Sequence, residues 1–147
     1  MNAERTIPVY VYPDADPLGA DLASRIIEGI RRSNESNDRF LLGCPGGRSA
    51  VSTYRAIARL AAEHDVDMSH VVVVMMDEYV FEMGGSYVRC PEDAHYSCTR
   101  FARKQIRDVI NANLASRRQI SDDHIWVPDP ADPEAYEARI RAGGGID

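Results

Sequence analysis

The chain has 147 residues, 44% hydrophobic and 27% charged, enough to bury one core and too few to suggest a second domain, so residues 1–147 are read as one. Its net charge of −6, with 17 basic residues scattered along the chain, offers no broad cationic face and argues against nucleic acid or an anionic membrane as partner. Cys44, Cys90 and Cys98 lack Cys-x-x-Cys spacing, and neither a leader-like start nor a run of roughly 18 apolar residues is present, so a cytoplasmic location is expected.

The first predicted element is "IPVYVY", Ile7 to Tyr12, an unalternating β-branched and aromatic run that reads as a strand buried on both faces. Asp16-Pro17 then gives a cap and a first-turn proline, and Leu22, Ile26 and Ile30 mark the apolar face of a helix that "SNESND" ends. The pattern recurs as strand Phe40 to Cys44, loop "PGGRS", a helix from about Ala50 to His64, and strand "VVVVMM". An irregular stretch to about Asp93 precedes a helix from about Ala94 to Ile110. A last strand, His124 to Pro128, leads to a helix capped by Asp132-Pro133 and stopped by three glycines. Strict β-to-α alternation implies a parallel sheet with helices on both faces.

In such sheets ligands sit beyond the carboxyl ends of the strands. Two polar motifs fall there. In "CPGGRS", Gly46 and Gly47 let backbone N–H groups crowd around an anion at a helix N-terminus, with Ser49 and Arg48 as side-chain donors; a tight turn needing glycine only for its angles reads equally well. In "MDEYV", the adjacent acids Asp77 and Glu78 leave an apolar strand toward opposite sides, so one faces a ligand while the other caps a helix or pairs with a base. A carboxylate that loses hydration there has a raised pKa, which suits a general base; an acid pair opening a solvated loop is the plainer alternative. Cys90, His95 and Cys98 lack the spacing and fourth ligand of a metal centre, and no metal is expected.

Read together, "LLGCPGGRSAVSTYRAI", "VVVVMMDEYV", "HYSCTRF" and "YEARIRAGGGID" resemble the N-terminal part of the glucosamine-6-phosphate deaminase/isomerase family, grouped with 6-phosphogluconolactonases. The resemblance implies a Rossmann-like three-layer α/β sandwich with a mainly parallel sheet, incomplete at its C-terminal end. It places the phosphate loop on Gly46, Gly47, Arg48 and Ser49, and the acid that moves the C2 proton on Asp77. Glu78, Tyr79, His95 and Tyr96 become possible substrate or supporting contacts. It implies no cofactor and a small sugar phosphate as partner, and a homo-oligomer is expected because a sheet without the family's next strand exposes an unpaired edge or an uncovered apolar face. The family usually has threonine at the place of Gly46 and a small residue at that of Arg48, and it continues past "GGID" to a Gly-x-x-x-Asp-Gly-His motif whose acid and histidine help open the sugar ring. The 147 residues are therefore expected to be inactive alone. Lactone hydrolysis and non-catalytic sugar-phosphate sensing are the alternatives.

Overall fold

A computed structural model describes residues 7–147. Three parallel strands, β1 (Phe40–Cys44), β2 (Val71–Met75) and β5 (Ile125–Trp126), form a sheet in the order β1-β2-β5, with Phe40 beside Val71 and Cys44 beside Met75. β2 is buried at every position, which is why its sequence shows no polar alternation.

One face of the sheet carries α1 (Ala15–Glu35), α2 (Val51–Glu63) and a helix that starts as α3 (Cys98–Phe101), widens into a π-helical segment (Ala102–Arg107) and ends as α4 (Asp108–Asn111). Ile27, Ile30, Ile57, Ile106 and Ile110 from these helices pack on Leu42, Val71, Val73 and Met75. The other face carries α5 (Pro133–Ala142), whose Tyr136 and Ile140 pack on Leu41, Val72, Val74 and Trp126. The result is a three-layer α/β sandwich with a parallel sheet.

α1 and α2 each stop at an Asx residue in the left-handed region, Asn37 (φ 56°) and Asp65 (φ 53°), where short polar side chains are tolerated. α5 is capped by Asp132, which accepts from the N–H of Ala135, with proline in its first turn. Beyond its glycines the chain reaches the outer edge of β1. Asp147 donates its N–H to the Leu41 carbonyl (3.1 Å), and its side chain accepts from the Leu41 N–H (2.9 Å). The Tyr136 hydroxyl shares its single proton between the Met75 (2.7 Å) and Trp126 (3.1 Å) carbonyls, bridging the carboxyl ends of β2 and β5.

Several expectations are corrected. Residues 7–12 form no strand: Ile7, Val9 and Val11 are exposed, Tyr12 hydrogen-bonds Asp21 on α1, and β1's outer edge is met by Asp147 instead. α1 is capped by Asp14, which accepts from Asp16, so Asp16-Pro17 lies inside the first turn. The inner face of α1 is Gly19, Ala23, Ile27 and Ile30, while Leu22 is exposed. The stretch read as irregular contains a β-hairpin, β3 (Val80–Met83) and β4 (Ser86–Arg89), turned by Gly84 (φ 59°) and Gly85 (φ 84°), a pair whose positive φ angles suit a two-residue hairpin loop. The helix read from Ala94 begins at Cys98, because Ser97 caps it by accepting from the Arg100 N–H (3.1 Å). The strand read over His124 to Pro128 is confined to Ile125–Trp126, its start preceded by a 3-10 turn over Asp122–His124.

Candidate active site

Because Cys44 and Met75 lie side by side in register, the segments that follow them leave the sheet at the same level, and the Met76 N–H donates to the Cys44 carbonyl (3.3 Å). The first segment is the glycine loop. Buried Tyr54 of α2 donates its hydroxyl to the Pro45 carbonyl (3.0 Å), fixing the loop's entry, and its ring meets Phe101 edge-on. Gly47 has φ +88°, and a Cβ there would meet nothing within 4 Å, so glycine is required by torsion rather than by space. Gly46 packs over Cys98. The loop runs into α2, whose cap residue Ala50 supplies no side-chain acceptor, leaving the helix's first N–H groups without that partner.

The second segment carries the acid pair, and its two members diverge. Glu78 turns toward the start of α3 and accepts from the Tyr79, Cys98 and Thr99 N–H groups (2.9, 2.8 and 2.8 Å), the Thr99 hydroxyl (2.7 Å) and the Ser97 hydroxyl (3.1 Å). Burial pushes its pKa up, but the Thr99 hydroxyl and the N–H groups of Cys98, Thr99 and Tyr79 outweigh it and bring the carboxyl down to about 2. The raised pKa anticipated for a carboxylate leaving β2 does not apply to Glu78; it is a helix cap. Asp77 is not part of this cap: it is exposed, and has the Cys98 thiol 3.7 Å from its Oδ1. Burial, then the neighbouring Asp77 and Glu78 carboxylates, push that thiol up to about 12, so Cys98 stays protonated and serves as a weak donor rather than a nucleophile.

Asp77 opens on a cavity of about 440 Å³ lined also by Gly46, Gly47, Tyr79, His95, Tyr96 and Cys98. Tyr96 is the centre of an aromatic group, with ring centroids 4.9 Å from His95, 5.4 Å from Tyr79 and 6.3 Å from Phe81. Of the residues singled out from sequence, Asp77, Gly46, Gly47, Tyr79, His95 and Tyr96 thus share one cavity. Arg48 faces an adjoining cleft of about 760 Å³ that has Gly47, His95 and Phe101 in common with the first. Ser49 is exposed at the loop's end and lines neither. Sequence reasoning missed Cys98, Arg55, Arg100 and Lys104; the four-residue spacings Val51–Arg55 and Arg100–Lys104 are the signals that put the three cations on cleft-facing helical stripes. Among the described residues no cluster of three or more His, Cys, Asp or Glu is placed to hold a metal ion.

Residues 13–142 match the model of a family described as glucosamine-6-phosphate isomerases/6-phosphogluconolactonase. The chain belongs to this family. It is 32% identical over 142 residues to a glucosamine-6-phosphate deaminase of Porphyromonas gingivalis strain W83, covering 93% of this chain and 49% of that protein. To the deaminase of Proteus mirabilis it is 32% identical over 139 residues, with 90% and 46% coverage. The chain spans about half the length of the curated relatives it matches. Among solved structures, a monomeric glucosamine-6-phosphate deaminase superposes with TM-score 0.68 at 20% identity over 96% of this chain and 53% of that one, and a 6-phosphogluconolactonase of Shewanella baltica with TM-score 0.58 at 16% identity over 88% and 48%; at these identities the likeness is one of fold. In this chain the glycine loop and the acid pair leave the same rim of the sheet.

Proposed function

We propose that the chain binds a phosphorylated amino sugar of the glucosamine 6-phosphate type across the carboxyl ends of β1 and β2, and that Asp77 moves its C2 proton. The phosphate lies against the N–H groups of Gly47 to Ser49 at the start of α2, where helix dipole and unpartnered donors favour an anion. The Asp77 carboxylate takes the proton from C2 of the open-chain aldose and returns it to C1, leaving a ketimine whose hydrolysis releases ammonia. The observation that carries this reading is the shared cavity: an exposed acid and the glycine loop line the same 440 Å³ space, while the neighbouring acid is consumed as a helix cap. Opening the sugar ring needs further proton transfers at the ring oxygen and anomeric hydroxyl, which Asp77, committed to C2, does not supply. The 147 residues are accordingly read as turning over cyclic substrate far below an ordinary enzyme's roughly 1 s⁻¹.

Solvent-deuterium exchange at C2 of glucosamine 6-phosphate, followed by NMR, tests the proposal through the small open-chain fraction. The chain should catalyse exchange, and Asp77→Asn should slow it about 100-fold while leaving binding intact. Hydrolysis of 6-phosphogluconolactone with no C2 exchange would assign the site to lactone chemistry instead.

A further inference from the structure

The larger cleft beside the glycine loop is lined by Arg48, Arg55, Arg100 and Lys104, and among the described residues its only acidic lining residue is Asp16. The four cations come from three places: the loop, the first turns of α2, and the helix that begins at Cys98. Lys104 is shared with Asp108 (3.0 Å), whereas Arg48, Arg55 and Arg100 have no carboxylate within ion-pair distance among the described residues. Val51 and Phe101 provide apolar wall between them, while the four cationic side chains are themselves exposed to solvent and free to turn toward a ligand. Like charges converging from separate elements repel one another, and an oxyanion relieves that cost by charge-assisted hydrogen bonds.

One phosphate does not account for all four. The proposed sugar phosphate is held at the loop, on the boundary with the cavity of Asp77. Arg55 lies a full turn along α2 from Val51, about 6 Å further from the loop, and Lys104 follows Arg100 by four residues, so positive charge continues along both helices beyond the loop. The π-helical segment over Ala102–Arg107 shapes this wall; such widened turns recur at functional sites.

We propose that the cleft lined by Arg48, Arg55, Arg100 and Lys104 is a second oxyanion subsite, contiguous with the phosphate loop and taking a phosphate-type group on the side away from Asp77. The inference rests on the sugar-phosphate reading of the loop. The group is supplied either by the substrate itself, as the outer phosphate of a diphosphate ester, or by a free phosphate bound alongside a monophosphate sugar.

The test uses the 147-residue chain at about 0.15 M salt, where loosely attracted ions are screened. Equilibrium dialysis with labelled inorganic phosphate should give two equivalents per chain, and Arg55→Gln/Lys104→Gln, both exposed on their helices, should retain one while weakening the other about tenfold or more. Glucosamine 6-phosphate should displace only the retained equivalent. Pyrophosphate bound about tenfold tighter than phosphate, with the advantage lost in the double variant, would identify a tethered second phosphate; two phosphate equivalents without that advantage would identify a free one. A single equivalent, unchanged in the double variant and displaced by glucosamine 6-phosphate, would overturn the second subsite and leave the loop reading intact. Failure of glucosamine 6-phosphate to displace any equivalent would overturn the loop reading itself.

Discussion

Asp77 and Glu78 are neighbours with the same chemistry and opposite fates. Both follow the end of β2 and both meet Cys98, but the N-terminus of α3 takes Glu78 through the Cys98 and Thr99 N–H groups, while Asp77 meets only the Cys98 thiol. Their divergence was legible in sequence, but which acid would be the cap was not, since that depends on where Ser97 and Thr99 stand in space, some twenty residues on. Cys98 was read only as lacking metal-site spacing; its place beside Asp77 follows from that same capped turn. Glu78 also sets an acid limit on the fold. Its folded pKa, about 2, lies below its ordinary value of 4.5, so the stability it contributes is complete above about pH 4.5 and is lost as pH falls toward 2. Glu78→Gln should therefore destabilise the protein at neutral pH and flatten the fall in melting temperature between pH 4.5 and 2. A variant whose acid profile parallels the wild type would show that the cap is not linked to folding.

At the scale of elements, the buried runs Phe40 to Cys44 and Val71 to Met75 were readable because a strand covered on both faces needs apolar residues throughout. The same rule failed for Ile7 to Tyr12: composition reports strand propensity, but a strand also needs a partner, and these residues pair with none of the three strands, their Tyr12 hydroxyl bonding Asp21 of α1 instead. The hairpin was missed although Gly84-Gly85 is a strong turn signal, because its strands are exposed and carry no burial pattern. Helix contact has its own tight point. A Cβ on Gly19 of α1 would lie 2.7 Å from the Ser52 carbonyl carbon of α2. Alanine ordinarily favours a helix over glycine by about 1 kcal/mol, but prying two packed helices apart costs about 1–3 kcal/mol. Gly19→Ala should thus lower the melting temperature by several degrees; a rise would mean that α1 can shift without penalty.

Across the whole molecule, apolar surface is unevenly placed. Met76, Tyr79, Phe81, Met83 and Tyr87 are all exposed on or beside the hairpin, with Met83 at 65% and Met76 at 74%. Two exposed strands with apolar side chains and unpaired outer edges favour association with a second chain. Light scattering on the eluting protein should show dimers or larger species that dissociate on dilution, and Phe81→Lys/Val88→Lys, which changes one cross-strand pair, should give monomers with a melting temperature lowered by only a few degrees through the lost pair and Tyr96 contact. A wild-type chain monomeric at every concentration would rule this out. The three-layer plan was the part most visible in sequence, because alternating elements leave few ways to bury a parallel sheet.

The Tyr136 hydroxyl has a mechanical meaning. It holds the last carbonyls of β2 and β5 together from the face that carries no site residue, two positions before Asp77. A tension applied to α5 is therefore delivered to the strand end that precedes Asp77, and the helix on the far side of the sheet becomes a lever on the position of that carboxylate.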